Sequence, residues 1–192
     1  MLVLNCVNSL DFKKTIQAAQ FRESVVGSAL ARKFKLLFQP CPHHRDRDHH
    51  KCCDFGLVDP INCNAWRCEL QCCFHLNSVE NGKFSFELFT YNEDGSKRDG
   101  KLRYCDADKF IYNAPKLQKL FVFEWNPIKQ LILDLYDKDE VQLISFNKDN
   151  WNHDSAPVDL ILVDAPTLLA QESVKEFNYL DLNIHHLYKH YE

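Results

Sequence analysis

The first legible pattern along the chain is helical. In "DFKKTIQAAQFRESVVGSALARKFKLLF", Phe12, Ile16, Ala19, Val26, Leu30, Phe34 and Leu37 recur at steps of three, four and seven, one stripe of a long amphipathic helix. Glu23 fills the gap between Ala19 and Val26 on that stripe. A carboxylate there is costly unless it meets a partner, a metal or a polar cleft, or unless the stripe wobbles and leaves it at a solvated margin. Gly27 weakens the helix slightly. The period then changes to two. Trp66, Cys68, Leu70, Cys72 and Phe74 alternate with Arg67, Glu69, Gln71, Cys73 and His75, which predicts a strand.

The apolar run "DFGLV" and the Asp-Pro turn after it predict a neighbouring strand, and "GKFSFELFTY" predicts another with Phe84, Phe86 and Leu88 on one side. Farther on, "CDADKFIYNA" reads as a short helix or extended turn and "KLFVFEW" as a buried strand. "NPIKQLILDLY" reads as a helix capped by Asn126 with Pro127 at its first position. "VQLISF" and "VDLILV" read as strands, and "APTLLAQ" as a helical turn. This order gives an α/β or α+β class.

Composition narrows the picture. With 192 residues, a 45% hydrophobic fraction and 14 Phe, the chain can bury a core, and one domain is expected, with its core at about 11–170 and a tail at 171–192. No apolar run is long enough to span a bilayer, and "MLVLNCVNSLDFKK" lacks the basic start and apolar stretch of a signal peptide. A cytoplasmic, intracellular protein with no membrane association is expected, its nine cysteines reduced. The formal net charge of -4 argues against holding nucleic acid by bulk electrostatics alone. Local basic segments remain: "FRESVVGSALARKFK", "HHRDRDHHK" with Arg45, Arg47 and Lys51, and "GSKRDGKLR" with Lys97, Arg98 and Lys101.

Two constellations could carry chemistry. Glu69 and Gln71 leave the same face of one strand, and Asp54 heads the preceding strand, where a hairpin could set it opposite Glu69. Two such carboxylates, with Glu23 approaching from the helix, suit a hard divalent cation that leaves positions for water and phosphate. The plainer alternative makes Glu69 a solvated residue paired with Arg67. The second constellation is zinc. Cys41, His43, His44, His49, His50, Cys52, Cys53, Cys63, Cys68, Cys72, Cys73 and His75 crowd one region, but no two separated C-x-x-C knuckles occur. Cys68 and Cys72 share the apolar face and read as packing, so the loop members Cys41, His43, His49, His50 and Cys52 are the better candidates. No P-loop, dinucleotide-binding or serine-elbow motif is present.

"DFGLV…WRCELQ" resembles the signature of the PD-(D/E)xK nuclease superfamily, in a variant with Gln replacing Lys. The order of segments is similar too: a helix bearing Glu23, the Asp strand, the E-x-Q strand, "NGKFSFELF", and a small-residue-Asp turn before a tyrosine, an apolar strand and a helix. The resemblance covers about 21–132. It implies a restriction-endonuclease-like α/β/α sandwich with a central mixed sheet, and a Mg²⁺-dependent endonuclease cutting DNA, with Mn²⁺ able to substitute. Restriction, homing or phage-defence roles fit, as does a homodimer or larger oligomer, with or without a protein or guide partner. By position, Asp54, Glu69 and the Leu70 carbonyl would bind the metal, Glu23 a metal-bound water or second ion, and Gln71 would stand in the Lys place.

Gln cannot bring the charge of Lys to a phosphate, so Lys83 or Lys101 would have to supply it. Asp59 could replace Asp54, though it precedes Pro60 in the turn. An inactive descendant that binds nucleic acid without cutting is the variant of this reading. The alternative from a different class is a non-catalytic Cys/His-rich zinc-binding protein that binds nucleic acid or has a regulatory role.

Overall fold

The computed structural model describes residues 9–41, 53–72, 81–92, 94–146 and 157–185. Helix α1 spans Ser9–Phe34 and buries Val26 and Leu30 of the expected stripe together with Ala29 and Ala31, whereas Phe34 is exposed. It stops earlier than its apolar period suggests. Lys35 turns to φ 58, Lys35 N–H donates to the Arg32 carbonyl and Leu36 N–H to the Ala31 carbonyl, a left-handed closure that satisfies two of the last four carbonyls. Leu37 and Phe38, read as helix, therefore begin strand β1, Leu37–Pro40.

Five further strands join β1 in a six-stranded mixed sheet. These are β2 (Phe55–Val58), β3 (Ala65–Cys72), β6 (Lys109–Ala114), β7 (Lys119–Glu124) and β10 (Val174–Asn178), in the order β1-β2-β3-β6-β7-β10. The β3–β6 pair is parallel, with Glu69 opposite Phe110, and the other pairs are antiparallel. A parallel pair needs a long crossover. Here it carries β4 (Lys83–Tyr91), β5 (Lys97–Asp99) and the one-turn helix α2 (Lys101–Tyr104). Strands β4 and β5 belong to a second, antiparallel sheet with β8 (Gln142–Phe146) and β9 (Val158–Asp164), ordered β5-β4-β9-β8.

The six-stranded sheet is buried on both faces. Leu57, Cys68, Leu70, Ile111 and Val122 pack under α1, together with Tyr179 and Leu182 of α5 (Tyr179–Leu182). On the other face Phe110, Tyr112, Phe121 and Phe123 meet Phe84, Phe86 and Leu88 of the second sheet. Helices α3 (Trp125–Asp137) and α4 (Ala165–Leu169) add Trp125, Ile128, Ile132 and Leu168 to that core. The chain is thus a mixed α/β protein with a central mixed sheet. The layer opposite α1 is made of a second sheet as well as helices.

Three sequence expectations change. "KFIYNA" is strand β6 rather than helix or turn, because Ile111 enters one core while Phe110 and Tyr112 enter the other. A strand buried on both faces shows no alternation. Helix α3 starts at Trp125, with Glu124 in the cap position and no side-chain cap bond, so Asn126 and Pro127 lie inside its first turn. The stretch from residue 171, read as a tail, supplies edge strand β10 and the buried Tyr179 and Ile184. Among the described residues no helix is long and apolar enough to cross a membrane.

Candidate active site

Strand β2 begins at Phe55, paired with Cys68, while β3 continues past that point to Cys72. The backbone of β3 therefore outruns its neighbour, and Asp54 finishes the pairing. Its N–H donates to the Cys68 carbonyl at 2.8 Å, and its Oδ2 accepts the Leu70 N–H at 2.7 Å. Asp54 is thus held by its backbone on one side of Glu69 and by its carboxylate on the other. The alternation of β3 sends Cys68 and Leu70 under α1 and turns Glu69 to the opposite face, where it is 3% exposed.

A buried carboxylate needs a partner. Glu69 has one from a residue 32 positions away, since Lys101 Nζ, at the start of α2, donates to Glu69 Oε1. Burial by itself opposes the ammonium charge, but Glu69 and Asp54, with Glu87 behind them, hold the Lys101 pKa above the ordinary lysine value. Glu69 is bonded to the ammonium, and Asp54 and Glu87 favour its charge through space. The Lys101 side chain keeps 30% exposure, whereas that of Glu69 keeps 4%.

Gly100 makes this approach possible. A Cβ at Gly100 would stand 2.6 Å from the Glu87 carbonyl oxygen and 2.9 Å from the Leu88 carbonyl carbon, both rigid backbone. The Gly100 N–H donates to the Leu88 carbonyl at 2.9 Å, clamping the start of α2 on β4. Neither Gly100 nor Glu87 stood out in the sequence as part of a site. The contact that gives them meaning is made through the crossover, and no local period records it.

The remaining candidates divide. Gln71 Nε2 donates to the Ser85 carbonyl at 3.1 Å, so the amide in the Lys place ties β3 to β4. Glu23 is half-buried on α1, one turn before Gly27, which faces Phe38 and Phe55. Because α1 and β2 run in the same direction along their contact, Glu23 lies toward the Asp54 end. It lies on the side of the sheet opposite Glu69, and among the described residues no three Asp, Glu, His or Cys side chains form a metal-holding group. Lys83 is not at the site, since its ammonium pairs with Asp164 at 3.3 Å. Arg67, the alternative partner of Glu69, pairs instead with Asp106 at 3.2 Å and Asp108 at 3.6 Å. Asp59 Oδ1 accepts the Ile61 N–H at 2.8 Å, the bond of a turn-forming aspartate, which removes it as a substitute for Asp54.

Of the expected nucleic-acid contacts, Lys97 meets Asp159 at 3.3 Å and Arg98 donates to Thr90 at 2.9 Å, both on exposed β5. Arg45, Arg47 and Lys51 lie outside the described residues, as do His43, His44, His49, His50, Cys52, Cys73 and His75. Cys68 is fully buried among apolar side chains. Burial, with the neighbouring Cys41 thiol, pushes Cys53 up to about 12, and burial likewise raises Cys68, which is the state of packed protonated thiols.

The donor chemistry at Asp54 and Glu69 fits a hard divalent cation. Mg²⁺ takes one or two carboxylates and completes its shell with water and substrate oxygens, so a three-ligand protein cage is not required. Comparison of the chain with protein-family models, with curated proteins and with solved structures returned no match in any of the three.

Proposed function

We propose that this chain is a metal-dependent nuclease of the PD-(D/E)xK, restriction-endonuclease-like type, hydrolysing phosphodiester bonds in DNA. The observation that carries the reading is the junction of β2 and β3: the Asp54 carboxylate bonded to the N–H of Leu70, the residue after Glu69, with the Lys101 ammonium bonded to Glu69. The order of segments supports it as well, with a Glu-bearing helix, an Asp at the head of one strand and E-x-Q on the strand beside it.

Asp54, Glu69 and the Leu70 carbonyl would hold Mg²⁺ or Mn²⁺. When bound, such an ion activates water and offsets charge developing on the phosphate. The protein's own contribution is positional and electrostatic. The Leu70 N–H orients Asp54, so that one carboxylate oxygen is committed to the fold. Lys101, protonated and anchored on Glu69, is a hydrogen-bond donor and a positive charge for the scissile phosphate, the role that Gln71 cannot fill. Gln71 holds β4 in place, and β4 in turn carries the clamp on Gly100. Glu23 stands outside this group and acts, in this reading, on a water or second ion at the Asp54 end. Cutting both strands of a duplex calls for a second copy of the chain.

The test is incubation of the purified protein with plasmid DNA in Mg²⁺, in Mn²⁺ and in EDTA, beside Glu69→Ala. Divalent-dependent cleavage by the wild type, reduced at least about 100-fold in the variant, is expected. Absence of cleavage on DNA and RNA substrates with either ion contradicts the reading.

A further inference from the structure

At the end of the six-stranded sheet opposite Asp54, a cleft of about 320 Å³ opens between the last turn of α1 and the strands. Leu57, Trp66, Ile111 and Val122 form its floor, and Leu30 and Phe34 its helical wall. The rim residue Asp59 follows the end of β2, which sets the cleft about 16 Å along the strand from Asp54. Protein interiors close over gaps of this size, and an apolar hollow with a few converging polar groups is the usual form of a small-molecule site.

The rim charges decide which molecule fits. Lys109 is paired with Glu124, and its ammonium lies 5.8 Å from the centre of the Trp66 ring. The Asp59 carboxylate is turned into its own loop, accepting the Ile61 N–H at 2.8 Å and the Asn62 N–H at 3.4 Å. Lys175 projects from β10 on the α1 side, with Nζ 5.9 Å from the centre of the Phe34 ring. Among the described residues it makes no ion pair. The formal charges on the rim balance, but both anions are engaged while Lys175 faces an aromatic ring and no carboxylate among the described residues.

We infer that this cleft binds a small anionic amphiphile: an apolar body laid on Trp66 and Val122, with a single carboxylate head at Lys175. The site is separate from the Asp54–Glu69 cluster, so it stands whether or not the chain cuts DNA.

Three ligands with one tail separate the charge from the apolar contribution. The full chain is titrated with octanoate, octanol and octylammonium, following the Trp66 indole N–H and the Leu57 and Val122 methyl resonances. Octanoate is expected to give saturable shifts at those positions, with an affinity about tenfold above that of octylammonium. Lys175→Glu, a surface change that leaves the core intact, is expected to weaken octanoate about tenfold while octanol is unaffected. Absence of saturable shifts with all three ligands overturns the cleft as a binding site. Equal octanoate affinity in wild type and Lys175→Glu, or preference for octylammonium, overturns the assignment of the head group.

Discussion

Glu69 and Lys101 define each other's state. Glu69 is buried and Lys101 is partly open, so removing the cation leaves a carboxylate with little access to water. Lys101→Met is therefore expected to lower stability at neutral pH by about 2–3 kcal/mol, below the full range for a buried pair because the lysine keeps some solvent. The pH dependence has a definite sign. The folded Lys101 pKa lies above the ordinary 10.5, so its contribution is complete below about that pH and is lost as pH rises through the folded value. Urea midpoints for wild type and Lys101→Met should differ by a constant amount from neutrality to about pH 10 and converge above it. Asp54→Asn separates structure from chemistry, since an amide oxygen can still accept the Leu70 N–H. Stability within about 1 kcal/mol of wild type, with cleavage lost, is the expected outcome in paired denaturation and plasmid assays.

Elements set where these residues meet. Helix α2 has a single turn and no side-chain cap, and it is held by the contact of Gly100 with β4. Gly100→Ala would press a methyl group into the Glu87 carbonyl, and neither backbone can yield without moving α2 and Lys101 with it. A loss of about 2–4 kcal/mol is expected by urea denaturation, with cleavage impaired even where the fold survives. The second sheet has its own polar anchor. Asp159 is 3% exposed, and although burial favours its neutral form, hydrogen bonds from Ser145 and Tyr91, both at 2.7 Å, and from Lys97 hold its pKa below the usual value. A lowered carboxyl pKa stabilises above the ordinary 3.8 and ceases to do so as pH falls through the folded value. Asp159→Asn is thus expected to lower the urea midpoint at pH 7 and to approach wild type as pH falls below 3.8.

Across the whole molecule, what the sequence revealed follows the range of the interaction. The stripe of α1 and the alternation of β3 are local periods, and both are legible in the apolar positions that now pack at Leu30, Cys68 and Leu70. The approach of Asp54 to β3 was legible as well, because a short turn leaves few registers open. Strand β6 was hidden by burial on both faces, and the end of α1 by an apolar run that serves both the helix and β1. The Lys101–Glu69 bond was legible only as one of two lysine choices, because it depends on β4 leaving for the second sheet and α2 returning over it. Glu23 shows the limit of order alone: the motif places it first in sequence, while the fold sets it across the sheet from Glu69.

In the proposed reading Asp54 and Glu69 together hold one divalent cation. Electron paramagnetic resonance titration of the full chain with Mn²⁺ tests it without reference to any substrate. One bound Mn²⁺ per chain is expected, lost in Glu69→Gln and retained in Asp59→Asn. A chain that binds no Mn²⁺, or whose binding is unchanged by Glu69→Gln, contradicts it.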